Sequence, residues 1–240
     1  FPIIHGYRLT LHSMSVTYQN DLKHPVFKVL AEYATVHQLD VYVIGGWVRD
    51  LLMGRPSKDI DILVVGDGPA LASAVAAKLR VKKVSIFKNF GTAHFRYKDL
   101  DIEFVGARKE SYLPNSRKPQ THQGSLEDDQ HRRDFTINSM AISLRHETFG
   151  VLIDPFNGQK DLEAGLIRTP LEPSITFSDD PLRMLRAIRF ATRFDFQITR
   201  PCLEAMKDQA DRINILSQER ITDELNKIIA THEPSRGFKL

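Results

Sequence analysis

The chain has 240 residues, 42% hydrophobic and 26% charged, with 13 Gly and 12 Pro. That length holds one large domain or two small ones, and the composition excludes collagen-like, coiled-coil and wholly disordered chains. A single cysteine, Cys202, excludes an intramolecular disulfide framework and a cysteine-rich zinc site and fits a reducing compartment. No run approaches the roughly 18 apolar residues of a membrane helix, and the opening FPIIHGYRLT lacks the order of a secretory signal, so a cytoplasmic location and no membrane partner are expected. The net charge of +3 says little about partners, but Arg183, Arg186, Arg189, Arg193 and Arg200 face one acid, Asp195, so one local stretch is strongly positive.

In chain order, the first half alternates short β-rich runs with helical patterns, and the second half reads as nearly all helical. Residues 41–44 form a buried strand that ends at Gly45 and Gly46; a short helix over 47–53 closes at Gly54. A strand over 59–65 and a turn at Gly66, Asp67 and Gly68 lead into an Ala-rich helix over 69–79. Further strands fall at 84–87, 93–97 and 101–105. From 106 to 132 the sequence is polar and carries no apolar period, which predicts one long surface loop. Apolar residues return over 135–144, a turn at 155–158 precedes a helix to about 164, and amphipathic helices follow from 173 onward, including one over 219–230.

Three clusters carry chemistry. Gly45 and Gly46 after a strand let backbone N–H groups approach an anion, with a helix N-terminus behind them and Arg49 one turn on. Asp59 and Asp61, two apart on a strand, project to the same face while Ile60 turns to the core. Paired carboxylates repel unless a cation sits between them, and Mg²⁺ takes carboxylate oxygens together with substrate phosphates. A bare Asp-x-Asp pair is also compatible with a solvated strand edge; the glycine pair one helix away shifts the balance to phosphoryl transfer. The second cluster, Arg132 to Asn138, reads either as a helix cap around Asp134 or as Arg133 on a phosphate with Asn138 on a ribose hydroxyl. In the third, Asp180, Arg183, Arg186 and Arg189 follow at three-residue steps, which makes them helical neighbours: either a solvated basic face with a capping acid, or a ladder that grips a triphosphate and a base.

The segments GGWVRDLLMGRPSKDIDILVVG, RRDFTINSMAI, DPFNGQKDLEAG, DDPLRMLRAIRFATRFDF and QERITDELNKII occur in that order. They closely resemble the five motifs of the class II tRNA nucleotidyltransferases, the CCA-adding enzymes. The resemblance implies an α+β fold: a polymerase-β-like head with a mixed sheet over 1–168 and an all-helical neck over 169–240. Members continue into helical body and tail domains, so the chain reads as part of a longer protein. The resemblance further implies Mg²⁺-dependent addition of nucleotides from CTP and ATP to the 3′ end of tRNA. It makes Asp59 and Asp61 the metal-holding catalytic pair and puts Gly45, Gly46, Arg49, Arg133 and Asn138 at the nucleotide. Asp180 and Arg183 would select the base, with Arg186 and Arg189 beside them. Asp179 departs from the family, which more often has Glu there, and Glu103 stands as a candidate third carboxylate. Nothing in the sequence sets an oligomeric state.

Base selection by such a pair has a physical basis. Cytosine and adenine present an exocyclic amine beside a ring-nitrogen acceptor, whereas uracil and guanine present a carbonyl beside an N–H. A carboxylate accepts from the amine and a guanidinium donates to the ring nitrogen, so no nucleic-acid template is required. An enzyme that adds only A or only CC would show the same motifs. A poly(A) polymerase fits less well, because residues 89–93 lack the strongly basic segment of those enzymes. A non-catalytic RNA-binding module is the competing class, and the intact Asp59 and Asp61 argue against it.

Overall fold

The computed structural model describes residues 17–111 and 120–240. Helix α1 (Pro25–His37) precedes strand β1 (Val41–Ile44), helix α2 (Gly46–Leu52), strand β2 (Asp59–Val64) and helix α3 (Gly68–Lys78). Strands β3 (Ser85–Phe87), β4 (Thr92–Tyr97) and β5 (Leu100–Gly106) follow, then a ribbon of β6 (Arg108–Ser111) and β7 (Gln120–Gln123), and helix α4 (Leu126–His131). After a 3₁₀ turn at Thr136–Asn138 come β8 (Ala141–Ser143), β9 (Leu152–Ile153), α5 (Gly158–Ala164) and β10 (Leu166–Ile167). The remainder comprises α6 (Pro173–Asp179), α7 (Leu182–Phe194), β11 (Gln197–Ile198), α8 (Arg200–Asp208), α9 (Gln218–Ile229) and α10 (Pro234–Gly237). No helix among the described residues is long and apolar enough to cross a membrane.

Seven strands form one mixed sheet in the order β3-β4-β5-β2-β1-β8-β9, so the fold is α+β. Strand β1, all four residues buried, lies antiparallel between β2 and β8, and β2 pairs in parallel with β5. A continuous apolar run suits a strand covered on both faces. One face packs Ile60, Ile62, Val64, Phe95, Ile102 and Phe104 against Phe27 and Leu30 of α1 and Leu71 and Val75 of α3. The rings of Phe95 and Phe104 lie 5.1 Å apart at the centre of this layer. The other face is divided: Tyr42, Ile44, Leu63 and Ala141 make an apolar patch under Leu126, whereas the start of β2 and the neighbouring part of β5 carry carboxylates.

The helices from α6 onward pack a second core around Met184, Phe190 and Phe194 of α7, which also takes in Phe135, Ile137 and Ile167 from the preceding chain. The Arg-rich helix thereby lies against the second sequence cluster. Helix α7 ends where Asp195 adopts a left-handed conformation with φ of 61°.

Two expectations change. Residues 106–132 are not one loop: the β6–β7 ribbon and α4 occupy their described parts, while 112–119 lie outside the described residues. Helix α4 is set by a capping box in which the Ser125 hydroxyl accepts from the Asp128 N–H and the Asp128 carboxylate accepts from the Ser125 N–H. The second half is also less purely helical than expected, because β8 and β9 extend the sheet beyond β1 and β10 pairs in parallel with β11.

Candidate active site

The site forms where β1 ends. Gly45 has φ of 80° and ψ of −132°, a conformation that residues with a side chain rarely adopt. A Cβ there would lie 2.8 Å from Arg133 Nη1, 3.4 Å from Asp61 Oδ2 and 3.8 Å from the Asn138 carbonyl oxygen. The glycine turn, one carboxylate of β2 and the second cluster thus converge on one point. The Gly45 N–H itself is taken by the Met140 carbonyl at 3.2 Å, and α2 is only seven residues long. Positive charge at this point therefore comes from Arg133 rather than from the backbone of Gly45.

Asp59 is exposed, Asp61 half-buried and Ile60 fully buried, as strand alternation predicts. The parallel pairing of β2 with β5 sets Glu103 directly beside Asp61 and Asp101 beside Asp59. Burial pushes the Asp61 carboxyl above its ordinary value, Asp59 adds to the rise, and Arg133 opposes it. Burial and the adjoining Asp61 raise Glu103 in the same sense. Two carboxyls that resist ionisation because burial and neighbouring carboxylates disfavour their charged forms are suited to a divalent cation. Among the described residues no group of three or more His, Cys, Asp or Glu side chains is placed to hold a metal ion, so the candidate donors are the Asp59 and Asp61 pair. This donor set fits Mg²⁺, which binds through one or two carboxylates and leaves positions for water and phosphate.

Arg133 is aimed by Asp129, a residue the sequence reading passed over: Arg133 Nε donates to Asp129 Oδ2 at 2.9 Å, and Arg132 binds the other oxygen. Burial alone would raise Asp129, but Arg133 and Arg132 together hold it below the usual carboxylate range. An acid four residues before an arginine in a helical stretch was the available signal. Asp134 caps no helix. Its Oδ1 accepts from the Phe135 N–H at 2.8 Å and from Asn138 Nδ2 at 3.0 Å, and its Oδ2 accepts from Arg186 Nε and Nη2 at 2.8 and 2.6 Å. Although burial opposes ionisation, Arg186 and Asn138 keep Asp134 below the usual range.

Arg49 is buried. It donates to Asp50 Oδ1 at 2.9 and 2.8 Å and to Asn138 Oδ1 at 2.6 Å, under the rings of Phe190 and Phe194. In this arrangement Arg49 ties the first cluster to the second. Gly46 lies beside it, since a Cβ there would lie 3.5 Å from Arg49 Nη2.

The third cluster differs from a ladder. Asp180 lies before α7 in extended conformation, so helical spacing does not relate it to Arg183; its Oδ1 accepts from the Leu182 N–H at 3.2 Å and its Oδ2 from Arg220 at 2.8 Å. Arg183 donates to the Thr176 and Arg132 carbonyls at 3.1 and 2.6 Å. Arg186 goes to Asp134, and Arg189 to Glu224 at 2.6 Å, which Lys227 also meets at 3.0 Å. Successive arginines therefore diverge to separate partners, and Arg186 and Arg189 are neutralised within the protein. Sequence reasoning missed Arg220 and Glu224, because contacts of α7 with α9 carry no local signature.

A mixed sheet with a carboxylate pair beside a glycine turn, backed by a helical layer, defines an α+β protein of the polymerase-β-like class. The chain belongs to the Poly A polymerase head domain family, which matches residues 41–168; residues 195–240 match the probable RNA and SrmB-binding site of polymerase A. The chain is 37% identical over 218 residues to an A-adding tRNA nucleotidyltransferase of Halalkalibacterium halodurans, covering 89% of this chain and 50% of that protein. It is 36% identical over 236 residues to a mitochondrial CCA tRNA nucleotidyltransferase of Candida glabrata, covering 88% and 44%. A crystal structure of a tRNA nucleotidyltransferase complexed with a primer tRNA and an incoming ATP analog superposes with a TM-score of 0.78 at 33% identity, covering 88% of this chain and 58% of that one. The chain thus spans about half the length of these relatives.

Proposed function

We propose that the chain is the catalytic part of a template-independent tRNA nucleotidyltransferase, which adds nucleotides from CTP and ATP to the 3′ end of tRNA with Mg²⁺. The observation that carries this reading is the convergence of Asp61, Arg133 and the Asn138 backbone on Gly45. Asp59 and Asp61, with Glu103 alongside, would hold Mg²⁺, which when bound supplies the positive charge that polarises a phosphoryl group. Arg133, fixed by Asp129, faces the triphosphate. Asn138 is held by Arg49 and Asp134 yet keeps one amide hydrogen and one lone pair, enough to meet a ribose hydroxyl. Asp180 and Arg183 would read the base: Arg183 retains its Nε hydrogen and one hydrogen on each Nη beyond those given to the two carbonyls.

Addition of A alone is the second reading, favoured by the A-adding names of similar relatives from Aquifex aeolicus and Halalkalibacterium halodurans. Offering CTP and ATP separately with tRNAs that end before the first C, the second C or the terminal A distinguishes the two. Incorporation from CTP as well as ATP supports CCA addition, and incorporation from ATP alone supports A addition. Incorporation of neither, with tRNA still bound, would leave an RNA-binding module.

A further inference from the structure

The sheet face that carries the carboxylates continues away from Gly45 into a basic cavity. Its volume is about 530 Å³, and Lys82, Lys83, His94, Arg96, Lys98 and Asp101 line it. Strand pairing connects it to the site. His94 stands opposite Glu103, which stands beside Asp61, and Arg96 stands opposite Asp101, which stands beside Asp59. Each row passes from acid at the centre of the sheet to base toward its β3 edge. Lys82 and Lys83 lead into β3, and Lys98 occupies the β4–β5 turn with φ of 56°. All three lysines and Arg96 are exposed, and among the described residues Lys82, Lys83 and Arg96 have no acidic ion-pair partner. The acid in the cavity, Asp101, is engaged by His94 Nε2 at 3.3 Å.

A transfer between two molecules at one carboxylate pair requires one molecule on each side of it. Gly45 and Arg133 occupy the β1 side and suit a triphosphate, which leaves the β3–β5 side for the molecule that offers the hydroxyl. Arg96 lies two strand spacings from Asp59, on the order of 10 Å, within reach of the phosphates next to a strand terminus. Unpaired cations grouped beside an acidic centre provide counter-charge for a polyanion that must approach that centre. We infer that this cavity binds the 3′-terminal phosphodiesters of the RNA strand that receives the nucleotide, an inference that rests on the nucleotidyl-transfer reading above.

The test compares the 240-residue chain with its Lys83→Gln/Arg96→Gln/Lys98→Gln variant. Incorporation from ATP is measured against the concentration of a tRNA lacking its terminal A, and binding of that tRNA against NaCl concentration. The expected result is a KM for tRNA raised at least about tenfold with the KM for ATP unchanged. The log–log salt slope should become shallower by about 0.7 for each single-strand phosphate contact removed, or roughly 2 in all. Arg96→Lys in place of Arg96→Gln, with the other two changes kept, should return about 0.7 of that slope. Lys28→Gln/Lys78→Gln, on helices packed against the opposite face, should change neither quantity. A triple variant with unaltered KM for tRNA and unaltered slope would overturn the inference while leaving nucleotidyl transfer standing. Failure of the unaltered chain to incorporate on any RNA would overturn the transfer reading, and this inference with it.

Discussion

Replacing Gly45 with Ala perturbs both backbone and site at once, and the structure separates the two effects. Holding a residue with a Cβ at φ of 80° and ψ of −132° costs about 1–3 kcal/mol. At about 2–4 °C per kcal/mol for a chain of this size, the melting temperature falls by roughly 2–12 °C. The new methyl also sits 2.8 Å from Arg133 Nη1, closer than a carbon and a nitrogen pack, so the guanidinium must leave its place beside Asp61. Gly54→Ala supplies the control: its φ of 64° is also positive, but no described residue lies within 4 Å of its added methyl. Both variants should lose stability, and Gly45→Ala alone should lose nucleotide incorporation, assayed at 25 °C where both remain folded. Equal incorporation by the two variants would refute the placement of Arg133 at the reaction centre.

Arg183→Ala should relax selection among CTP, ATP, UTP and GTP in an incorporation assay, whereas a purely structural arginine would leave selectivity unchanged. Asp134→Asn should cost about 3 kcal/mol in urea unfolding, because it leaves Arg186 without its charged partner in a largely buried setting. The raised Asp61 and Glu103 carboxyls set a pH dependence of known sign: folded groups with elevated pKa withdraw stability as pH rises through their titration. Asp61→Asn should therefore raise the melting temperature at neutral pH and much less in acid, where the wild-type carboxyl is already protonated. Added Mg²⁺ should stabilise the wild type at neutral pH more than the variant.

The strands that frame the site, β1 and β2, were legible because their signals are local. The run at 41–44, the alternation at 59–64 and the glycines between them fix strand, turn and strand without reference to the rest of the chain. What escaped depended on partners distant in sequence. Arg220 gains its meaning only from α9 lying across the start of α7, and Glu103, already a candidate in the sequence, is set beside Asp61 only by the parallel register of β2 with β5. Helical spacing correctly put Arg183, Arg186 and Arg189 on one helix but could not say which cations are neutralised internally, and two of them are. Helix α4 hid within a polar stretch for the opposite reason: its stability comes from the Ser125 capping box and from Asp129, not from an apolar stripe.

The most direct test of the carboxylate centre is transfer of radiolabelled AMP from ATP to tRNA by Asp59→Asn and Asp61→Asn variants in Mg²⁺. Both should fold with undiminished melting temperature, still bind ATP and incorporate nothing. Sustained incorporation by either variant would contradict the assignment of Asp59 and Asp61 as the catalytic pair.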